Sequence, residues 1–141
     1  MTNLLLIKNY LMIAGLVRMY PLALLRLVIS IIFVVHGLPK LSDLHKTKEN
    51  FGMMGFRPGW LWGTGIALLE VVGGGALFFG LFSQFFALLF AIEMMVAMVT
   101  VKRKSGFIGG YEFDLLLFAA CLVLVTQGGG FLSLDQLLLG L

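Results

Sequence analysis

Four long apolar stretches in this chain carry ionisable residues that a lipid bilayer should reject, and that conflict constrains the fold more than any other feature. The stretches are Leu22–Leu38, Trp60–Phe82, Phe85–Val101 and Phe113–Thr126. Crossing about 30 Å of hydrocarbon at 1.5 Å per residue takes roughly 20 residues, so each approaches a membrane span. Arg26 lies one turn inside the first, Glu70 near the middle of the second and Glu93 near the middle of the third; Glu112 and Asp114 open the fourth. A charge at mid-membrane costs about 2.5–3.5 kcal/mol on insertion scales, so such residues persist when they pair inside a bundle or line a polar cavity. The sequence therefore predicts an all-α fold: four antiparallel transmembrane helices around a polar interior.

With 141 residues, 60% of them hydrophobic, four spans and short connections use nearly the whole chain. One membrane domain is predicted over residues 21–141, ahead of it an N-terminal segment, 1–20. Lys8 and Asn9 interrupt the apolar run there, and Arg18-Met19-Tyr20-Pro21 is a poor cleavage context. The segment therefore reads as an interfacial helix feeding the first span rather than a cleaved leader. Pro21 suits the first turn of the helix that follows. A net charge of +3, dispersed along the chain, gives no basic patch for nucleic acid. Cys121 is the single cysteine, so the chain holds no intramolecular disulfide and no dithiol relay of its own. No His, Cys or carboxylate set has metal-ligand spacing, and no nucleophile turn of the Ser/His/Asp type is present. Catalytic residues are left unassigned.

The connections are punctuated clearly. Gly37 and Pro39 read as a helix stop after the first span. Residues 40–59 form the longest polar connection, and Phe51, Met53, Met54 and Phe56 within it suggest that it folds back onto the bundle or the headgroups. Gly80–Gln84 carries no charge and predicts a tight hairpin. Gly128-Gly129-Gly130 ends the fourth span, and Ser133 is placed to cap a last short helical segment. Seven basic residues lie on the side of the 40–59 and 102–111 loops: Lys40, Lys46, Lys48, Arg57, Lys102, Arg103 and Lys104. Lys8 and Arg18 lie on the side of the termini. The excess predicts cytoplasmic loops and termini outside a cell membrane.

The helical period groups the polar residues. Arg26, Ser30, Phe33, Gly37 and Lys40 share one stripe of the first span, with His36 to its side. Gly63, Ile66, Glu70, Gly74 and Leu77 share a face of the second, and Phe86, Glu93, Ala97 and Thr100 a face of the third. In the fourth, Glu112 and Asp114 must point apart; Glu112 is expected to face inward, continued by Leu116 and Ala119. Depth then predicts two layers: Arg26 with Glu93 or Glu70, and His36 and Lys40 with Glu112. Acids outnumber the one deep base. That excess favours a polar cavity lined by His36, Glu70, Glu93 and Glu112, with Phe33, Phe86 and Phe90 as flat walls and Gly63, Gly73 and Gly74 leaving room. A small amphipathic molecule such as a quinone is its expected occupant.

Four segments carry a resemblance to a known family. The first is Leu24-Leu25-Arg26-Leu27 with Phe33 and His36-Gly37-Leu38-Pro39-Lys40-Leu41. The second is Leu69-Glu70-Val71-Val72-Gly73-Gly74 with Phe79-Gly80-Leu81. The third is Gly109-Gly110-Tyr111-Glu112-Phe113-Asp114-Leu115, and the fourth Gly128-Gly129-Gly130 with Ser133-Leu134-Asp135. In this order and spacing the chain resembles the DoxX family of small four-helix membrane proteins over about residues 22–135. It departs at Gly129, where the family often has proline, at Ser30, where it often has a small residue, and near Phe131, where it often has a basic one. The resemblance implies an integral membrane protein related to a subunit of thiosulfate:quinone oxidoreductase, with no covalent cofactor. Three roles follow as expectations. One is a quinone-interacting oxidoreductase subunit of a sulfur or thiol redox system, working with a redox partner protein. The second is a non-catalytic membrane partner or assembly factor, alone or as a homo-oligomer. The third is a small-molecule or proton transporter, for which four spans without an inverted repeat make a poor monomer.

Overall fold

The computed structural model describes residues 2–130 and 132–140; Phe131 and the side chains at 2, 3, 16, 18, 19 and 139 lie outside that description. The departure at Phe131 and the side chain of Arg18 therefore fall outside it. The described residues are helical with no strand. Helix α1 covers Thr2–Ser42, α2 covers Leu44–Met53, and α3 covers Gly59–Phe79. Helix α4 covers Ser83–Val101, α5 covers Glu112–Gln127, and the short α6 covers Leu134–Leu139. Helices α1, α3 and α4, and α5 taken together with the turn before it (Phe107–Gln127), are long and apolar enough to cross a membrane, and they form the antiparallel bundle that the apolar pattern predicts.

Helix α1 does not stop at Gly37 and Pro39; it runs on to Ser42. Gly37 serves a different purpose. A Cβ there would lie 2.6 Å from Glu70 Cβ and 2.9 Å from Val71 Cγ2, so the missing side chain lets α1 and α3 approach closely. Pro39 forfeits one backbone bond on an exposed turn, and the helical pattern resumes with Asp43 N–H donating to Pro39 O at 3.2 Å. At its other end α1 extends through residues 2–20 without a break. Its 41 residues make about 60 Å of helix, twice the hydrocarbon thickness. Packing into the core starts at Leu25, Arg26 and Ile29.

The core joins Ile29 and Phe33 of α1, Leu77 of α3, Ala87, Phe90, Ala91 and Met94 of α4, and Leu117, Cys121 and Leu124 of α5. Phe33 stacks on Phe90 with ring centroids 3.8 Å apart. Cys121 is fully buried there, packed as a small apolar side chain. The glycines assigned to cavity space are instead spent on close packing: Gly63 lies against the Lys48 backbone, Gly73 against Phe86, and Gly74 against Val34.

The hairpin between α3 and α4 is as tight as its sequence implies, with Gly80 at φ +71° and Phe82 at φ +50°. The C-terminal segment locks it. The Asp135 carboxylate accepts from Phe82 N–H and Ser83 N–H, both at 2.7 Å, and Asp135 N–H donates to Gly80 O at 2.9 Å. Ser133 caps α6 by accepting from Gln136 N–H at 3.2 Å. The 43–58 connection, built around α2, folds onto α3 at the opposite end, as its aromatic residues suggest.

Candidate functional site

Arg26 does not pair with Glu93 or Glu70. It is 3% exposed; Nη1 donates to Gly129 O at 2.9 Å and Nη2 reaches Leu132 O at 3.4 Å. Asp135 acts on it electrostatically. The physical reason is axial distance. Gly37 marks the level of Glu70 on α1, and Arg26 lies eleven residues earlier, about 16 Å along the helix. Its side chain also leans toward the helix N-terminus, away from the acids. It therefore closes the terminal end of the bundle against the glycine-rich C-terminal turn.

The second layer is also rearranged. Lys40, not Arg26, meets the buried acid: Lys40 Nζ lies 2.6 Å from Glu70 Oε1. Lys40 stands one turn beyond Gly37, and the same N-terminal lean carries its ammonium back to the level of Glu70. Glu70 sits within a π-helical turn, Leu69–Gly73, a distortion frequent at functional positions. Glu93 lies beside Glu70 with Lys40 also in electrostatic range. Glu70 Oε2 and Glu93 Oε2 are buried without a hydrogen-bond partner among the described residues.

Glu112 is exposed and accepts from Gly109 N–H at 2.9 Å, closing the turn that leads into its own helix. Asp114 is the inward acid of the fourth span, 6% exposed, with Lys102 Nζ 2.6 Å from its Oδ2. Leu116 and Ala119 face outward, whereas Asp114, Leu117, Cys121 and Leu124 form the buried stripe. That stripe is legible in the sequence as steps of three, four and three, and it selects Asp114 rather than Glu112.

These groups meet at a cavity of about 450 Å³ on the loop side of the bundle. Its polar wall holds Lys40, Glu70, Glu93, Lys102 and Asp114, with His36 at the edge. His36 is exposed, its Nδ1 is 2.8 Å from Ile32 O, and its ring lies 6.2 Å from Phe113. The flat apolar walls come from Phe33, Phe51, Phe56, Trp62 and Phe113. Of the three phenylalanines expected there, Phe33 lines the cavity, while Phe86 and Phe90 pack elsewhere. Of the six candidate residues, His36, Lys40, Glu70 and Glu93 come together; Arg26 and Glu112 do not. Aromatic walls beside a few convergent polar groups are the usual make-up of a small-molecule site.

An apolar four-helix bundle with paired ions buried at its loop end defines a small integral membrane protein. More particularly, the chain belongs to the DoxX family, whose model matches residues 22–103. It is 41% identical over 112 residues to a Bacillus subtilis (strain 168) protein named "Putative oxidoreductase CatD", a match covering 79% of this chain and 82% of that one. It is 38% identical over 72 residues to a Haemophilus influenzae (strain ATCC 51907 / DSM 11121 / KW20 / Rd) protein named "Uncharacterized protein", covering 49% of this chain and 48% of that one. No solved structure matches the chain.

Proposed function

We propose that the cavity binds a quinone and that the protein is the quinone-interacting membrane subunit of a redox system, with its two loops in the cytoplasm and its termini outside. The observation that carries the reading is the pairing of aromatic walls with the Lys40, Glu70 and Glu93 trio at one end of the cavity. A quinone would supply a two-electron, two-proton acceptor, becoming a quinol while two thiols of a partner become one disulfide. The thiols belong to a partner because Cys121, the single cysteine, is fully buried and lies outside the cavity lining.

This chain's part is binding and proton handling. Lys40 can donate a hydrogen bond to a ring oxygen. Glu70 and Glu93 carry two orphaned oxygens beside a single ammonium. One proton held between the two carboxyls satisfies both oxygens and balances the Lys40 charge, so the trio can hold a proton next to the ring. The oxidoreductase name of the Bacillus relative supports the reading. Titration of a quinone into purified protein should raise the melting temperature and quench tryptophan fluorescence, and Glu93→Gln should weaken both responses. Unchanged melting and fluorescence across the titration would overturn it.

The close Lys40–Glu70 and Lys102–Asp114 pairs favour a second reading, a non-catalytic membrane partner whose buried ions fix helix register. A partner protein co-purifying in fixed stoichiometry, with no quinone response, would favour it.

A further inference from the structure

Three of the four seams between neighbouring spans are bridged by direct contacts toward the loop end. Helices α1 and α3 meet through Gly37 and Gly74, and α4 and α5 form a closely packed hairpin. Helices α1 and α5 are in contact, and His36 lies over Phe113 at the loop end of their seam. The seam between α3 and α4 differs. It is packed at the hairpin end, where Phe86 lies on Gly73, and the first ten residues of α3 make no substantial contact with α4. Between them lies the cavity, with Ile66 and Leu69 on one side and Ile92 and Val96 on the other.

Depth gives this opening its meaning. Leu69 is ten residues from the hairpin end of α3 and Ile92 nine from that end of α4, so both sit about 15 Å into the span. That is the middle of a hydrocarbon layer about 30 Å thick. Ile92 lines the cavity and is 45% exposed, so at this depth its aliphatic surface is not sealed off by α3. An aliphatic mouth at mid-membrane is reached from the bilayer and not from water; Glu70 and Glu93, next in sequence to Leu69 and Ile92, line the cavity just inside it, and Lys102 and Asp114 lie toward the loop end.

We infer that the α3–α4 seam is a lateral portal through which a lipid-soluble ligand enters from the bilayer, its ring seated near Lys40 and Glu70 and its hydrocarbon chain leaving between Leu69 and Ile92. This rests on the quinone reading and specifies its substrate class: a ring that carries a long chain, drawn from the membrane pool. A chain threaded through the seam also keeps aliphatic surface in lipid, where it loses no hydrophobic stabilisation.

The test uses the full chain carrying Trp60→Phe, which leaves Trp62, on the cavity wall, as the single tryptophan, excited at 295 nm to exclude the tyrosines. The protein is placed in phosphatidylcholine vesicles and titrated with two fully substituted benzoquinones, one with a ten-carbon chain and one without. Both should quench Trp62. Adding Leu69→Phe and Ile92→Phe narrows the mouth; the chain-bearing quinone should lose at least tenfold in apparent affinity while the chainless ring binds as before. Ile92→Ala widens the mouth and should leave both ligands binding at least as well as the parent, which guards against a narrowed variant that fails to fold. Equal binding of the chain-bearing quinone by parent and narrowed protein would overturn the portal, as would equal loss of both ligands in a folded narrowed protein. Silence of the parent toward both quinones would instead overturn the quinone reading, and the portal with it.

Discussion

Replacing Arg26 by alanine should lower stability more than any other single change at the terminal end of the bundle. The guanidinium gives a 2.9 Å charge-assisted bond to Gly129 O, of a kind that contributes about 1.5–3 kcal/mol. The 3.4 Å approach to Leu132 O is too long to add much. Truncation also leaves the buried Gly129 carbonyl unsatisfied, at about 1–3 kcal/mol. Part of this is offset because the guanidinium no longer has to be desolvated, so the net loss is about 3 kcal/mol. At about 2–4 °C per kcal/mol for a chain near this size, the melting temperature should fall by about 10 °C. The assay is thermal unfolding in mild detergent followed by tryptophan fluorescence, with the exposed Arg103→Ala as a control expected to move by about 1 °C or less. Arg26→Lys should recover less than half, since one ammonium cannot reproduce the forked donor. A melting profile of Arg26→Ala indistinguishable from the parent would refute the assignment of Arg26 as the latch on the C-terminal turn.

Gly37→Val should push α1 away from α3, because even a Cβ meets Glu70 Cβ at 2.6 Å; a loss of about 1–3 kcal/mol is expected for overpacking, read as a lower melting temperature. Lys40→Met should destabilise by leaving Glu70 and Glu93 without their cation, and adding Glu70→Gln should restore much of the loss, a coupling that a double-mutant cycle measures directly. Asp114→Ala should cost more than Glu112→Ala in the same melting assay, because Asp114 is buried and ion-paired whereas Glu112 only closes an exposed turn. Alkaline phosphatase fused at the C-terminus should be active, since seven basic residues lie on the loop side against two at the terminal side; an inactive phosphatase with a fluorescent cytoplasm-only reporter would reverse the orientation.

The sequence alone determined the four spans, their antiparallel order, the tight hairpin at Gly80–Gln84 and the inward faces of α1 and α3. These follow from local quantities: apolar length against bilayer thickness, the 3.6-residue period, and glycine and proline at the breaks. Together with the face of the third span, those faces placed His36, Glu70 and Glu93 at one predicted cavity, but assigned Lys40 to His36 and Glu112 rather than to Glu70. Tertiary structure decided which ions pair. Arg26 and the acids share a bundle interior, but a partner is chosen by axial level to within a few ångströms, and a helical wheel carries no axial coordinate between helices. Gly37 shows the same division. Its sequence neighbourhood, with Pro39 two residues on, reads as a stop; only the approach of Glu70 at that level makes it a point of close packing. Glu112 and Asp114 show the remaining ambiguity. Near a helix start an acid can turn back onto its own backbone or inward to a neighbour, and Lys102, carried in by the end of α4, settles the choice in favour of Asp114. The seam left open between α3 and α4 is likewise absent from either helix by itself, because it is set by how two rigid spans diverge from one tight turn.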